Sequence, residues 1–224
     1  FIIGLVVALV IYFAPQFNGI NSLTTIPFIK GFEFDFSYFY IPIIIFIIIA
    51  TSNAVNLTDG LDGLATGTTT IVALTLAVIA YVSGNIETSD YLDIIYLKGN
   101  GELVIYCTAL AGATLGFLWW NSYPAQVFMG DTGSLALGGA IGTLSILVKK
   151  EFLLPILGGI FLVETVSVLL QRYYFKFSRL KTGEGKRIFK MAPLHHHYEM
   201  LGIPEPKIVM RFYIIAIILA ILTL

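Results

Sequence analysis

Ile43-Ile44-Ile45-Phe46-Ile47-Ile48-Ile49-Ala50 leads almost directly into Asn53-Ala54-Val55-Asn56-Leu57-Thr58-Asp59-Gly60-Leu61-Asp62-Gly63. The first stretch lacks the apolar/polar alternation of a β-barrel strand, so it predicts a lipid-facing helix, in which every backbone group is bonded internally. The second is dense in amides, hydroxyls and carboxylates where that helix should leave the membrane. The same contrast runs through all 224 residues, which are 57% hydrophobic and 12% charged, with mean hydropathy +0.87. A soluble domain carries about 25% charged residues. The expectation is an all-α integral membrane protein, a polytopic helical bundle forming one domain over residues 1–224.

Seven apolar segments are predicted as helices, at about 1–14, 38–54, 64–82, 103–120, 133–148, 152–172 and 207–224. A span needs about 20 residues, so the first is too short to cross. It also lacks the basic n-region and cleavage site of a signal peptide. The chain is therefore expected to be the C-terminal part of a longer protein. Cys107 is alone, which excludes a disulfide framework, and it lies inside a span as a small apolar residue.

Connections alternate sides of a bundle, so 55–63, 121–132 and 173–206 should share one end. Connections 15–37, 83–102 and 149–151 should share the other. Nine of the thirteen Lys and Arg residues fall between Arg172 and Arg211. By the positive-inside rule this places the first end in the cytoplasm, with Lys149 and Lys150 running against the trend. On the opposite side, Phe32-Glu33-Phe34-Asp35-Phe36 alternates with period two and predicts a small periplasmic β-hairpin.

Three polar motifs thus gather at one membrane face. Asp59 and Asp62, three apart and each followed by glycine, share a helix face or a tight turn. Helix capping accounts for one such acid. It does not account for the acids together with Asn53, Asn56 and Thr58. Asp131 in Phe128-Met129-Gly130-Asp131-Thr132-Gly133 also precedes a span and is the better candidate ligand for a hard divalent cation. Phe128 suits membrane anchoring or stacking on a base, and Trp119-Trp120 suit an interfacial belt. Beyond them, Asn121 offers a free amide. His195-His196-His197 lacks the Cys partners or His-x-x-x-His spacing of zinc sites, which favours phosphate binding or proton transfer. Lys186, Arg187 and Lys190 surround it. Glu164 lies inside the sixth segment, with Gln171 two turns along the same face. It is read as facing the polar site or making a structural hydrogen bond, outside the catalytic set.

The stretch Asn53–Ala65 resembles the nucleotide-binding and catalytic loop of the polyprenyl-phosphate N-acetylhexosamine-1-phosphate transferase superfamily. Phe128–Leu135 resembles its metal loop. Ala192-Pro193-Leu194-His195-His196-His197-Tyr198-Glu199 resembles the triple-histidine motif of the bacterial branch that transfers phospho-N-acetylmuramoyl-pentapeptide. The resemblance covers essentially the whole chain. It implies a ten-span fold in the bacterial inner membrane, usually a homodimer, with a cytoplasmic active site. It further implies Mg²⁺-dependent transfer from UDP-N-acetylmuramoyl-pentapeptide to undecaprenyl phosphate, giving lipid I and UMP, with no nucleic acid involved. Asp131 would bind Mg²⁺, Asp59 would be a catalytic carboxylate, and His195 an essential polar residue. His196 and His197 would lie near the phosphates or nucleoside. Asn121, Phe128, Leu57, Gly60 and Asp62 would frame the uracil. Asn53, Asn56, Gln171 and Ala192 would line the rest of the cleft. The family also uses an adjacent Asp-Asp pair, which this sequence lacks, so these residues alone are expected to be inactive. The alternatives are a sibling transferase using UDP-N-acetylglucosamine and a lipid-linked transporter.

Overall fold

The computed structural model describes residues 1–17, 19–27 and 33–224. The predicted apolar runs all become helices: α1 (Ile2–Phe13), α2 (Tyr40–Thr58), α3 (Leu64–Ser83), α5 (Gly101–Asn121), α6 (Gly130–Leu147), α8 (Gly159–Thr182) and α10 (Glu205–Thr223). Among the described residues, four helices are long and apolar enough to cross a membrane: Ser37–Thr58, Leu64–Ser83, Gly101–Asn121 and Glu205–Thr223. The chain is an all-α polytopic membrane protein. α1 has only 12 residues, α6 is rich in Gly, Ser and Thr, and α8 is charged toward its C-terminus.

The predicted connections hold more helix than expected. Residues 83–102 contain α4 (Ile86–Leu92), capped by Asn85, whose side chain accepts from the Thr88 N–H. The sixth segment breaks into α7 (Leu154–Leu157) and α8, which runs to Thr182 and stops at Gly183 with φ +79°. The charged residues of 172–182 end the apolar pattern but not the helix, because neither glycine nor proline intervenes before Gly183. A last short helix, α9 (Leu194–Glu199), carries the histidines.

α3 is the central helix, buried along most of its length. Lipid offers no hydrophobic drive for helix association, so close approach and hydroxyl bonds must supply it. α3 is built accordingly. Its Thr70 donates to Thr114 of α5 at 2.7 Å, and Gly67 leaves room for the Tyr213 ring of α10. α2 and α6 meet in the same way. Gly138 lies against the backbone of Thr51 and Ser52, and the Ser52 hydroxyl donates to the Leu135 carbonyl at 2.8 Å.

The predicted hairpin forms from β1 (Leu23–Thr25) and β2 (Glu33–Asp35), antiparallel, with Thr24 opposite Phe34. Asn18, Lys30 and Phe32 lie outside the described residues. The hairpin is fastened to the α6–α7 turn. Lys149 Nζ donates to the Asn21 carbonyl at 2.9 Å and lies 4.5 Å from the centre of the Tyr40 ring. Lys150 donates to the Thr25 hydroxyl, and Tyr40 donates to Glu151 at 2.7 Å. Lys149 and Glu151 are both buried. The two lysines that ran against the positive-inside trend therefore hold the fold together and are not free headgroup-facing charges.

Burial holds Lys149 down at about 8, against the nearby Glu151 charge, which acts the other way. Its ordinary value is 10.5, so between these two pH values the unfolded chain binds more protons than the folded one. The Lys149 contribution to stability thus rises as pH increases through that window. Glu151→Gln keeps an acceptor for Tyr40 but removes the negative charge near the buried ammonium, which still donates to the Asn21 carbonyl. It is expected to lower stability by about 1–3 kcal/mol, read by thermal unfolding in detergent.

Candidate functional site

The three polar motifs meet at the end of the bundle opposite the hairpin. α2 terminates at Asp59, and a turn through Gly63, with φ +79°, opens α3. The Gly63 carbonyl accepts from the Tyr213 hydroxyl at 2.6 Å, which ties the turn to α10. Asp62 ties it further on two sides. Its N–H donates to Glu205 Oε1 at 2.7 Å, and its Oδ2 accepts from the Ala125 N–H at 2.8 Å. Asn56, one turn back on α2, reaches across to α6, donating to Asp131 Oδ1 and to Ser134 Oγ, each at 3.0 Å.

Asp59 and Asp131 are close enough to interact as charges. Burial first, and the Asp131 charge second, hold the Asp59 carboxyl above the ordinary carboxylate range. Among the described residues, the ion pairs are His195 with Glu164 and His196 with Glu199, so neither aspartate has a cationic partner. No three His, Cys, Asp or Glu side chains among those residues gather as a closed metal cage. Two neighbouring carboxylates without a cationic partner fit a hard cation such as Mg²⁺, which takes one or two carboxylates and fills its other positions with water and phosphate.

The histidines occupy three different environments. His195 is fully buried, with Nδ1 3.2 Å from Glu164 Oε2, and its Nε2 faces Gly60. A Cβ added at Gly60 would run into that ring, so only glycine permits the approach. His196 Nδ1 lies 2.5 Å from Glu199 Oε2 in a half-exposed pair. His197 Nδ1 accepts from the Lys190 N–H at 3.1 Å, and the Phe189 ring meets His197 edge-on.

Several expected residues are engaged differently. The Asn121 amide is not free. Its Oδ1 accepts from Thr66, and its Nδ2 donates to the Val127 carbonyl at 2.9 Å, shaping the loop that presents Phe128. A buried amide has to bond inward, and nothing in the local sequence signals its burial. Asn53 donates back to Ile49 in its own helix. Gln171 clamps the basic stretch, accepting from the Ile188 and Phe189 N–H groups and donating to the Phe189 carbonyl. Phe128 is exposed, Leu57 and Ala192 are half-buried, and Asp131 lies open at the first turn of α6. Glu205 and Ser134 were not singled out from sequence. Glu205, beside Pro204 and Pro206, reads as an ordinary helix start.

Residues 1–149 match the family described as Glycosyl transferase family 4. The chain is 53% identical over 222 residues to a phospho-N-acetylmuramoyl-pentapeptide-transferase of Chloroherpeton thalassium, covering 99% of this chain and 60% of that protein. It is 50% identical over 235 residues to the protein of that name from Salinibacter ruber, covering 99% and 61%. A Chlorobium phaeobacteroides protein, also so named, is 54% identical over 216 residues, covering 96% and 58%. The chain thus spans about 60% of the length of the curated relatives it matches.

Proposed function

This chain belongs to glycosyl transferase family 4, and we propose that it carries the nucleotide- and metal-binding end of a phosphoglycosyl transferase. The substrates of the whole protein are UDP-N-acetylmuramoyl-pentapeptide and undecaprenyl phosphate. A phosphate oxygen of the lipid attacks the sugar-bearing phosphorus of the nucleotide sugar. The bond to UMP breaks, leaving lipid I and UMP. The observation that carries this reading is the meeting of Asp59, Asp131 and the His195 ring around one turn, at one end of the bundle.

Transfer of this kind asks for charge neutralisation and positioning more than covalent help. Asp131, with Asp59 beside it, would hold Mg²⁺, whose charge would offset that of the pyrophosphate and of the departing UMP. Asn56 keeps the Asp131 carboxylate aimed, donating from the same amide nitrogen to Asp131 Oδ1 and to Ser134 Oγ. His195 Nε2, buried and without a hydrogen-bond partner, is placed to bond a substrate oxygen over Gly60. Asn121 and Asp62 hold the 121–128 loop, so that exposed Phe128 offers a face for the base. Lys186, Arg187 and Lys190 bring positive charge to the same end, on a stretch whose backbone bonds Ser178, Gln171 and His197.

The positive-inside trend, with Lys149 and Lys150 withdrawn into the fold, supports a cytoplasmic site in the bacterial inner membrane. A homodimer belongs to the same reading and is checked by cross-linking in native membranes. The transport alternative is disfavoured, because the polar residues lie at one end of the bundle and Glu164 is engaged by the start of α9.

The test uses the whole protein in detergent with undecaprenyl phosphate and Mg²⁺. UMP release from UDP-N-acetylmuramoyl-pentapeptide is expected, with UDP-N-acetylglucosamine neither a substrate nor an effective competitor. Preferential use of UDP-N-acetylglucosamine would transfer the assignment to the sibling activity. Substrate crossing proteoliposomes without UMP release would overturn the enzyme reading.

A further inference from the structure

We propose that Glu164 is a positioning residue for His195, fixing both the start of α9 and the ring that faces the 59–63 turn. This rests on the reading of the site given above. Glu164 sits in the first half of α8 and is completely buried, as is His195. Its Oε2 accepts from the Leu194 N–H at 2.6 Å, and its Oε1 accepts from the His195 N–H at 3.2 Å. The same Oε2 lies 3.2 Å from His195 Nδ1. One carboxylate therefore touches the backbone of two successive residues and the ring of the second.

The chemistry of that contact selects a nitrogen. An ionised carboxylate only accepts, so the Nδ1 beside it is the nitrogen that carries hydrogen. Nε2 is then the atom turned toward Gly60, as a lone pair or, when the ring is protonated, as a second N–H. Neither ring nitrogen has an aligned hydrogen bond within the chain, so Glu164 meets Nδ1 as a close charge contact at 3.2 Å. A substrate hydroxyl donating to Nε2, or a phosphate oxygen accepting from it once the ring is protonated, would satisfy this buried nitrogen. No other charged group pairs with Glu164 among the described residues. Two turns further along α8, Gln171 holds Ile188 and Phe189, so α8 fastens the 188–195 segment at both ends. A carboxylate needed only to cap a six-residue helix would have no reason to approach the ring as well.

Glu164→Gln in the whole protein keeps one acceptor for the α9 backbone but removes the charge and the second acceptor. Loss of a group that orients a functional histidine costs about 10–100-fold. The expected result is a fall of that size in kcat for UMP release, with KM for the nucleotide sugar changed less than about threefold and Tm nearly unchanged. Glu164→Asp should recover part of the rate. In a His195→Ala background, Glu164→Gln should cost nothing more, because the two act as one unit. Independent, additive losses would overturn the proposal, and so would a wild-type kcat in Glu164→Gln. A second readout needs no turnover and survives failure of the Gln variant to fold. In histidine-selective ¹⁵N NMR, wild-type His195 should show the Nδ1–H form, with the balance shifted in Glu164→Asp. An Nε2–H form in the wild type would also overturn it. Absence of UMP release from the wild-type protein would instead refute the functional reading, and the NMR result would still decide the role of Glu164.

Discussion

Asp131→Asn in the whole protein is expected to reduce Mg²⁺-dependent UMP release by at least about 100- to 1000-fold, the loss that follows removal of one strong electrostatic contact to developing charge. The substitution is nearly isosteric. The new amide oxygen could still accept from Asn56, and asparagine is well tolerated near a helix start. Asp131 is exposed, so its change should alter stability by no more than about 0.5–1 kcal/mol, including the lost attraction between its charge and the α6 N-terminus. What disappears is the negative charge that would hold the cation and that helps keep the Asp59 carboxyl raised. The Asp59 value should fall toward normal but not reach it, because burial is the larger of the two causes. The check pairs UMP release, titrated with Mg²⁺, against a thermal unfolding curve. A variant that folds and turns over within a few-fold of wild type rules out Asp131 as the metal ligand.

The second large effect concerns a position with no functional group. Gly60→Ala adds a single methyl group, directed at the His195 ring. Either the ring withdraws or the 59–63 turn shifts, and a displacement of about 1 Å at a reacting geometry costs about 100-fold in rate. Overpacking adds a stability cost of about 1–3 kcal/mol. Gly112→Ala is the matched control, since its added methyl meets open space. It should leave both rate and unfolding temperature close to wild type. Full activity in Gly60→Ala would mean that His195 does not lie over the turn in the working enzyme, and the assignment of Nε2 to the substrate would fall with it.

Much of this was legible in the chain itself. The apolar runs became helices because lipid leaves a helix no outside partners. The motifs at 53–63, 128–133 and 193–199 were visible because dense polar residues between apolar blocks have few bland explanations. Parity brought them to one end, and the contacts from Asn56 to Asp131 and from His195 to Gly60 agree with that count. The second half of α8 was missed because its charges interrupt hydropathy without interrupting helical backbone geometry. The burial of Lys149 and Glu151 was not legible, because a charge in a short connection looks exposed until its neighbours are known.

Local chemistry explains where the line falls. Which stretches form apolar helices and which loops concentrate carboxylates are decided by each stretch's own transfer energy and backbone preferences, and so the sequence determined them. Which way the Asn121 amide turns, what Glu164 grips and which nitrogen of His195 faces Gly60 depend on atoms dozens of residues away. A buried polar group takes whatever partner packing brings within hydrogen-bond reach, and only the tertiary structure decides that.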